Sequence, residues 1–228
     1  MKNILFFFCF ILGFITVSGQ NTFFDKGLKA FENENYTEAV SLYTEQLKTK
    51  SGANIYFNRG LAHYKLKNYT VAISDFTIAL NKDPEDFEAY YNRGLAYFYH
   101  NDIDQAILDN EACINLNPEY INAYTTLGMC YYKIEKYPEA LLVFDTVLKV
   151  KENALSYYNR ALTFNQLEQF AAAENDFSKA INLEPNLKNY WGRADFYYAQ
   201  KNYLKSIADY NKALELDNNF TTIYYNRG

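Results

Sequence analysis

The chain has 228 residues, 49% of them apolar, which is enough for one large domain or one array of repeats. It carries 27 acidic against 22 basic residues, a formal net charge of −5. That balance excludes the basic face a nucleic-acid binder needs to displace counterions from phosphates. Only 9 Gly and 4 Pro are present, too few turn-formers for an all-β chain of this size. Aromatic residues reach 18%, through 23 Tyr and 18 Phe against a single Trp.

The N-terminus reads as a targeting segment. Lys2 supplies a short positive region, and Ile4 to Val17 is a continuous apolar stretch containing Phe6, Phe7, Phe8 and Phe10. The stretch is shorter than the roughly 20 residues that span a bilayer as a helix. Val17-Ser18-Gly19 offers a signal-peptidase site, so residues 1–19 are expected to be removed and the mature chain to be exported to the periplasm, the cell envelope or the medium. The mature chain then holds no integral membrane span. It keeps two cysteines, Cys113 and Cys130, too few for a disulfide-stapled mini-domain. They read either as two small buried apolar side chains or as one bridge.

From residue 20 onward the sequence is periodic. Small residues recur at Gly27, Gly60, Gly94, Gly128, Ala161, Ala194 and Gly228, spaced by 33 or 34. A second small column runs Ala39, Ala72, Ala106, Ala140, Ala173 and Ser206 in the same register, and an aromatic column runs Phe23, Tyr56, Tyr90, Tyr124, Tyr157, Tyr190 and Tyr224. Each period divides into two amphipathic helical stretches. In residues 87–120, Tyr90, Gly94, Tyr97 and Phe98 share one face, Asn101-Asp102 breaks the run, and Ala106, Ile107, Asn110, Cys113 and Ile114 mark the second stretch, which Asn117-Pro118 ends. Mid-helix small residues let the two helices approach, and rings from neighbouring columns fill the remaining volume. One such pair cannot bury its own apolar face, so the pairs must stack. The periods are 20–52, 53–86, 87–120, 121–153, 154–186 and 187–220, with 221–228 opening a seventh. Because that partial period leaves Ile223, Tyr224 and Tyr225 unshielded, the natural protein is expected to continue, or its last repeat to be frayed or masked by another chain.

The order aromatic-x-x-[Gly/Ala]-x-x-aromatic, then Ala, an aromatic, a small residue and Pro, closely resembles the tetratricopeptide repeat over residues 20–228. Departures are Asn110, where the other periods carry Tyr43, Phe76, Phe144, Phe177 and Tyr210, and the absence of a Pro after the first, fourth and sixth periods. The resemblance implies an all-α, right-handed superhelical solenoid of antiparallel helix pairs whose first helices line a concave groove. It also implies a protein-binding role without intrinsic catalysis and without a cofactor.

Nothing in the residues argues for chemistry. His63 and His100 have no second His or Cys at metal-ligand spacing, and no phosphate-binding Gly loop or nucleophile elbow is present. Asn35, Asn68 and Asn219 match the N-glycosylation sequon, but Asn35 and Asn68 suit a turn without sugar. The expectation is therefore a non-enzymatic scaffold for a protein or peptide. The second reading, a receptor for an extended glycan, would require polar side chains converging beside an exposed ring.

Two further patterns place candidate residues. Arg59, Arg93, Arg160 and Arg193 precede the small residue of the first helix, and Asp75, Asp109, Asp176 and Asp209 follow sixteen positions later. Where the Arg is replaced, by Lys26 and Leu127, the Asp is too, by Leu42 and Val143. This co-occurrence predicts a salt bridge between the two helices of one repeat. By the resemblance, the column Phe24, Phe57, Tyr91, Thr125, Tyr158, Trp191 and Tyr225 faces the groove, with Tyr198 two turns further along the last complete repeat. Relatives that clamp a C-terminal carboxylate use Lys in this column and Asn one turn on, and this chain has neither there. Asn58, Asn92, Asn159 and Asn226 match an Asn that in relatives contacts a bound peptide backbone. The predicted site is an aromatic ladder holding an extended peptide through Phe57, Tyr91, Tyr158, Trp191 and Tyr198 with Asn58, Asn92 and Asn159, without carboxylate capture.

Overall fold

The computed structural model describes residues 22–217. The targeting segment 1–19, the sequon at Asn219 and the partial seventh period lie outside these residues. Within them are twelve helices and no strand: α1 (Phe23–Glu32), α2 (Tyr36–Leu47), α3 (Ala53–Lys65), α4 (Tyr69–Lys82), α5 (Phe87–His100), α6 (Ile103–Leu116), α7 (Ile121–Lys133), α8 (Tyr137–Val150), α9 (Ala154–Gln166), α10 (Phe170–Leu183), α11 (Leu187–Ala199) and α12 (Tyr203–Leu216).

Local chemistry starts and stops these helices. Thr22 and Asp25 form a capping box ahead of α1, with the Asp25 amide donating to Thr22 Oγ1 at 3.1 Å and the Thr22 amide to Asp25 Oδ2 at 3.0 Å. Side chains of Asp86, Asn153 and Asn186 accept the orphan amides of Ala89, Ser156 and Asn189 at 3.0, 2.8 and 2.9 Å. The turn inside each pair hinges on one left-handed residue: Glu34, Lys67, Asn101, Glu135, Glu168 and Lys201 all have φ between 58° and 74°. Only Asn101 is of a type that enters this region readily, so the other five turns hold their residue there against its preference.

Packing follows the columns. A Cβ at Gly60 would come within 2.9 Å of the Phe76 ring, and one at Gly128 within 2.6 Å of Phe144. The missing Cβ is what lets the two helices of a pair close over these fully buried rings. Each ring contributes on the order of 1.5–3 kcal/mol by burial. Most clusters draw a helix from a neighbouring pair. Ile55 of α3 joins Ala30, Ala39 and Tyr43, while Ala96 of α5 joins Ala72 and Phe76. The core is thus a continuous seam. Successive first helices α1, α3, α5, α7, α9 and α11 also touch one another and form the inner wall. Cys113 on α6 and Cys130 on α7 are free and buried, and burial pushes both thiols up to about 12. Of the two sequence readings, the structure has the unbridged one.

Candidate interaction groove

The inner wall carries the ladder column at half-burial. Phe57 tilts onto Phe76 with centroids 5.8 Å apart, and Tyr158 meets Phe177 edge-on at 5.7 Å. Tyr91 does not reach the core ring of its own repeat, where Asn110 stands; it packs edge-on against Tyr120 at 5.0 Å. Trp191 leans on the cluster of Ala194, Tyr210 and Leu214 and donates its indole N–H to Asp195 at 3.1 Å. These rings are therefore neither sealed in the core nor free-standing. Tyr198 is more open, 54% exposed, with its ring edge-on to Tyr203 at 5.7 Å.

The ladder is interrupted at Thr125, which is 7% exposed and shares a 3.4 Å hydroxyl contact with Ser156. Without a ring at that rung the wall opens into a cleft of about 510 Å³ bounded by Tyr64, Tyr91, Tyr99, Tyr120, Met129 and Lys188. Lys188 comes from α11 and holds its amine 4.5 Å from the Tyr158 ring centroid, a cation–π contact; burial pushes its pKa down. Burial, reinforced by the neighbouring Tyr120, raises the Tyr91 phenol to about 12, so this ring stays uncharged at neutral pH. No sequence column pointed to Tyr120 or Lys188, because both reach the cleft from outside the helix that Thr125 occupies.

The asparagines do not behave as one set. Asn58 donates to the Asn54 carbonyl at 2.8 Å and Asn92 to the Glu88 carbonyl at 2.7 Å, so each has one amide hydrogen tied to its own helix. The Asn159 amide nitrogen is buried and makes no hydrogen bond.

The four Arg–Asp couples form on the opposite flank of the first helices. Each is bidentate: Arg59 reaches Asp75 at 2.8 and 2.7 Å, Arg93 reaches Asp109 at 2.8 and 2.8 Å, Arg160 reaches Asp176 at 2.6 and 3.0 Å, and Arg193 reaches Asp209 at 2.7 and 2.9 Å. The carboxylates are nearly buried. The third nitrogen of every guanidinium extends back to the preceding repeat, to Thr44, Thr77, Asp145 and Ser178 respectively. Co-occurrence pointed to the couple and missed this second link. Its sequence signal is a polar column, Thr44, Thr77, Glu111, Asp145 and Ser178, that no hydrophobic pattern singles out. Burial lowers the His63 pKa, and among the described residues no group of three or more His, Cys, Asp or Glu is placed to hold a metal ion.

Twelve helices in stacked pairs, braced between repeats and lined inside by rings, define a helical-repeat solenoid. Models of the tetratricopeptide repeat match residues 24–80, 57–120 and 154–187, and a further TPR-repeat model matches 194–228. The chain belongs to the tetratricopeptide repeat family, whose members are generally non-enzymatic scaffolds for protein partners. Among solved structures, a tetratricopeptide repeat protein from Parabacteroides merdae is 22% identical with a TM-score of 0.75, covering 93% of this chain and 85% of its own. A thermophilic TPR protein of Thermus thermophilus is 21% identical with a TM-score of 0.69, over 77% of this chain and 97% of its own. The C-terminal part of a TPR protein from Cytophaga hutchinsonii is 20% identical with a TM-score of 0.66, over 85% and 78%. At these identities the likeness is one of fold. No curated protein matches the chain.

Proposed function

We propose that this array holds an extended peptide, or an extended segment of a partner protein, along its inner wall, without catalysing a reaction. The observation that carries this reading is the half-burial of Phe57, Tyr91, Tyr158 and Trp191 on the first helices α3, α5, α9 and α11. One edge of each ring is fixed by packing, so little side-chain entropy remains to be lost when a ligand covers the rest. Tyr and Trp are also the residue types most often found as binding anchors. Asn58 and Asn92 each keep one amide hydrogen and a carbonyl oxygen for a peptide backbone. The ladder column has no lysine to capture a terminal carboxylate. Export after cleavage near Gly19 belongs to the same proposal and rests on the N-terminal sequence. Among the described residues no helix is long and apolar enough to cross a membrane.

The test begins with partners recovered from a cell-envelope extract on the immobilised chain and identified by mass spectrometry, followed by calorimetric titration. Combining Tyr91→Ala with Trp191→Ala should weaken a recovered partner at least roughly tenfold while far-UV circular dichroism stays helical. Amidating the C-terminus of a bound peptide should leave its affinity unchanged. Unaltered affinity in the double variant would move the site off the inner wall. Binding only to envelope polysaccharide would favour the glycan reading.

A further inference from the structure

The fourth repeat lacks the brace that its neighbours share. In the braced repeats a guanidinium spans three things: the Asp of its own second helix, a polar residue of the preceding second helix, and, in three cases, the leading ring of its own first helix. The ring contacts are Arg59 with Tyr56 at 5.5 Å, Arg93 with Tyr90 at 5.6 Å and Arg160 with Tyr157 at 5.5 Å. In the fourth repeat the arginine is Leu127 and the aspartate is Val143, yet the other two elements remain. Tyr124 is the leading ring. Glu111 stands in the column of Thr44, Thr77, Asp145 and Ser178, each of which accepts from the arginine of the next repeat.

Leu127 is too short to fill the space a guanidinium takes elsewhere. The result is a hollow of about 410 Å³ between α6 and α8, lined by Glu111, Ile114, Tyr124, Leu127, Leu142 and Val143. Glu111 accepts one hydrogen bond, from Tyr131 at 3.3 Å, and has no ion-pair partner among the described residues. Leu142, which lines the hollow, is 70% exposed, and Leu108, three residues before Glu111 on α6, is 56% exposed. The outward position they occupy holds Ser41, Ser74, Asn175 and Ala208 in the other repeats. An uncompensated carboxylate, a ring of the kind that flanks guanidinium elsewhere in the chain, and the exposed Leu142 thus meet at one place, with Leu108 one turn before Glu111 on α6.

We propose that this hollow receives an arginine side chain from a partner polypeptide, its guanidinium against Glu111 and Tyr124, with apolar neighbours in the partner lying on Leu142 and Leu108. Arginine fits better than lysine because a planar fork can meet a carboxylate and a ring face together. The site lies on a different face from the inner wall, so it stands independently of the groove reading.

The probe is a fluorescein-labelled peptide of about a dozen residues with one Arg flanked by Leu, followed by anisotropy at low salt against the full chain. Saturable binding is expected. Replacing Arg by citrulline, or Glu111 by Gln, should weaken it at least roughly tenfold. Leu127→Arg with Val143→Asp supplies the repeat's own brace, and should remove binding while helical content is retained. Leu142→Ser should weaken binding without touching the brace positions. Tyr91→Ala should leave affinity unchanged. No saturation at millimolar protein, equal binding of the citrulline peptide, or full binding by the braced variant overturns the proposal. Loss of binding in Tyr91→Ala alone would place the peptide on the inner wall and overturn it while sparing the groove reading. Binding matched by free arginine amide, or a dimer of the chain itself that Leu142→Ser dissolves, would assign the hollow to a small molecule or to a second copy instead.

Discussion

Two buried polar atoms single out side chains whose identity works against the core they sit in. The Tyr43 hydroxyl and the Asn110 carbonyl oxygen are both sealed from solvent and make no hydrogen bond. They occupy the same column. Phe76, Phe144 and Phe177 carry no polar atom there, and Tyr210 donates its hydroxyl to Asp195. Burial accordingly lifts the Tyr43 phenol to about 12. Tyr43→Phe removes an orphan donor without changing the ring, and should raise stability by about 1 kcal/mol. Asn110→Phe should add about 0.5–2 kcal/mol by restoring the ring beneath Gly94, although it gives up the 2.7 Å bond from the Asn110 amide to the Ala106 carbonyl. Urea titration of each variant measures both effects. A lower midpoint for Tyr43→Phe would mean that bound water satisfies the hydroxyl.

Between helices, the Arg–Asp couples tie each second helix to its own first helix and to the repeat before it. Their worth depends on what is removed. Arg59→Ala leaves the Asp75 carboxylate buried with no counter-charge, and should cost on the order of 3–5 kcal/mol. Changing both partners together, Arg59→Leu with Asp75→Val, copies what the fourth repeat carries naturally. It should cost far less, about 0–1 kcal/mol, because no charge is stranded. A double-mutant cycle in chemical denaturation separates the two outcomes. If the double variant is as unstable as Arg59→Ala, the couple is acting through its packing rather than its charge. The fourth repeat shows that the fold tolerates the apolar pair, and also that it opens a hollow where the guanidinium would lie.

Among the described residues each repeat packs mainly against its neighbours, so an outer repeat can open without the middle. Repeats five and six are joined at the surface by Glu174, which accepts from Lys205 at 2.7 Å and from Tyr197 at 2.8 Å. These bonds, Lys205 first, hold the Glu174 pKa below its ordinary value of 4.5. A carboxylate whose folded pKa is depressed adds stability that is fully present above its unfolded pKa and is lost as pH falls through the folded one. Acidification below about pH 4.5 should therefore loosen the last helix pair before the central ones. Amide hydrogen exchange resolved by segment should then show α12 losing protection first. The Glu174→Gln chain should show weak α12 protection already at neutral pH and little further change on acidification. Uniform loss across all helices would contradict the end-first picture.

The all-α solenoid and the Arg–Asp couples were legible in the sequence. Both follow from spacing within one chain segment, where a helix of fixed rise turns a residue interval into a face and a height. Small columns opposite ring columns could only mean closely apposed helices, and a co-varying charge pair sixteen residues apart could only meet across one turn. What the sequence left open depends on how one repeat is turned against the next. Whether the ladder rings are sealed or open was undetermined, and the structure sets them at half-burial. In the sequence Thr125 is only the ringless member of its column, and it is the approach of Tyr120 and Lys188 from other elements that makes a cleft there. The third nitrogen of each arginine crosses to a residue fifteen or sixteen positions earlier, in a different repeat. The hollow beside Leu127 appears only when two second helices are seen side by side. Distances between repeats are fixed by the packed volume of whole side chains, a quantity that no periodic pattern records.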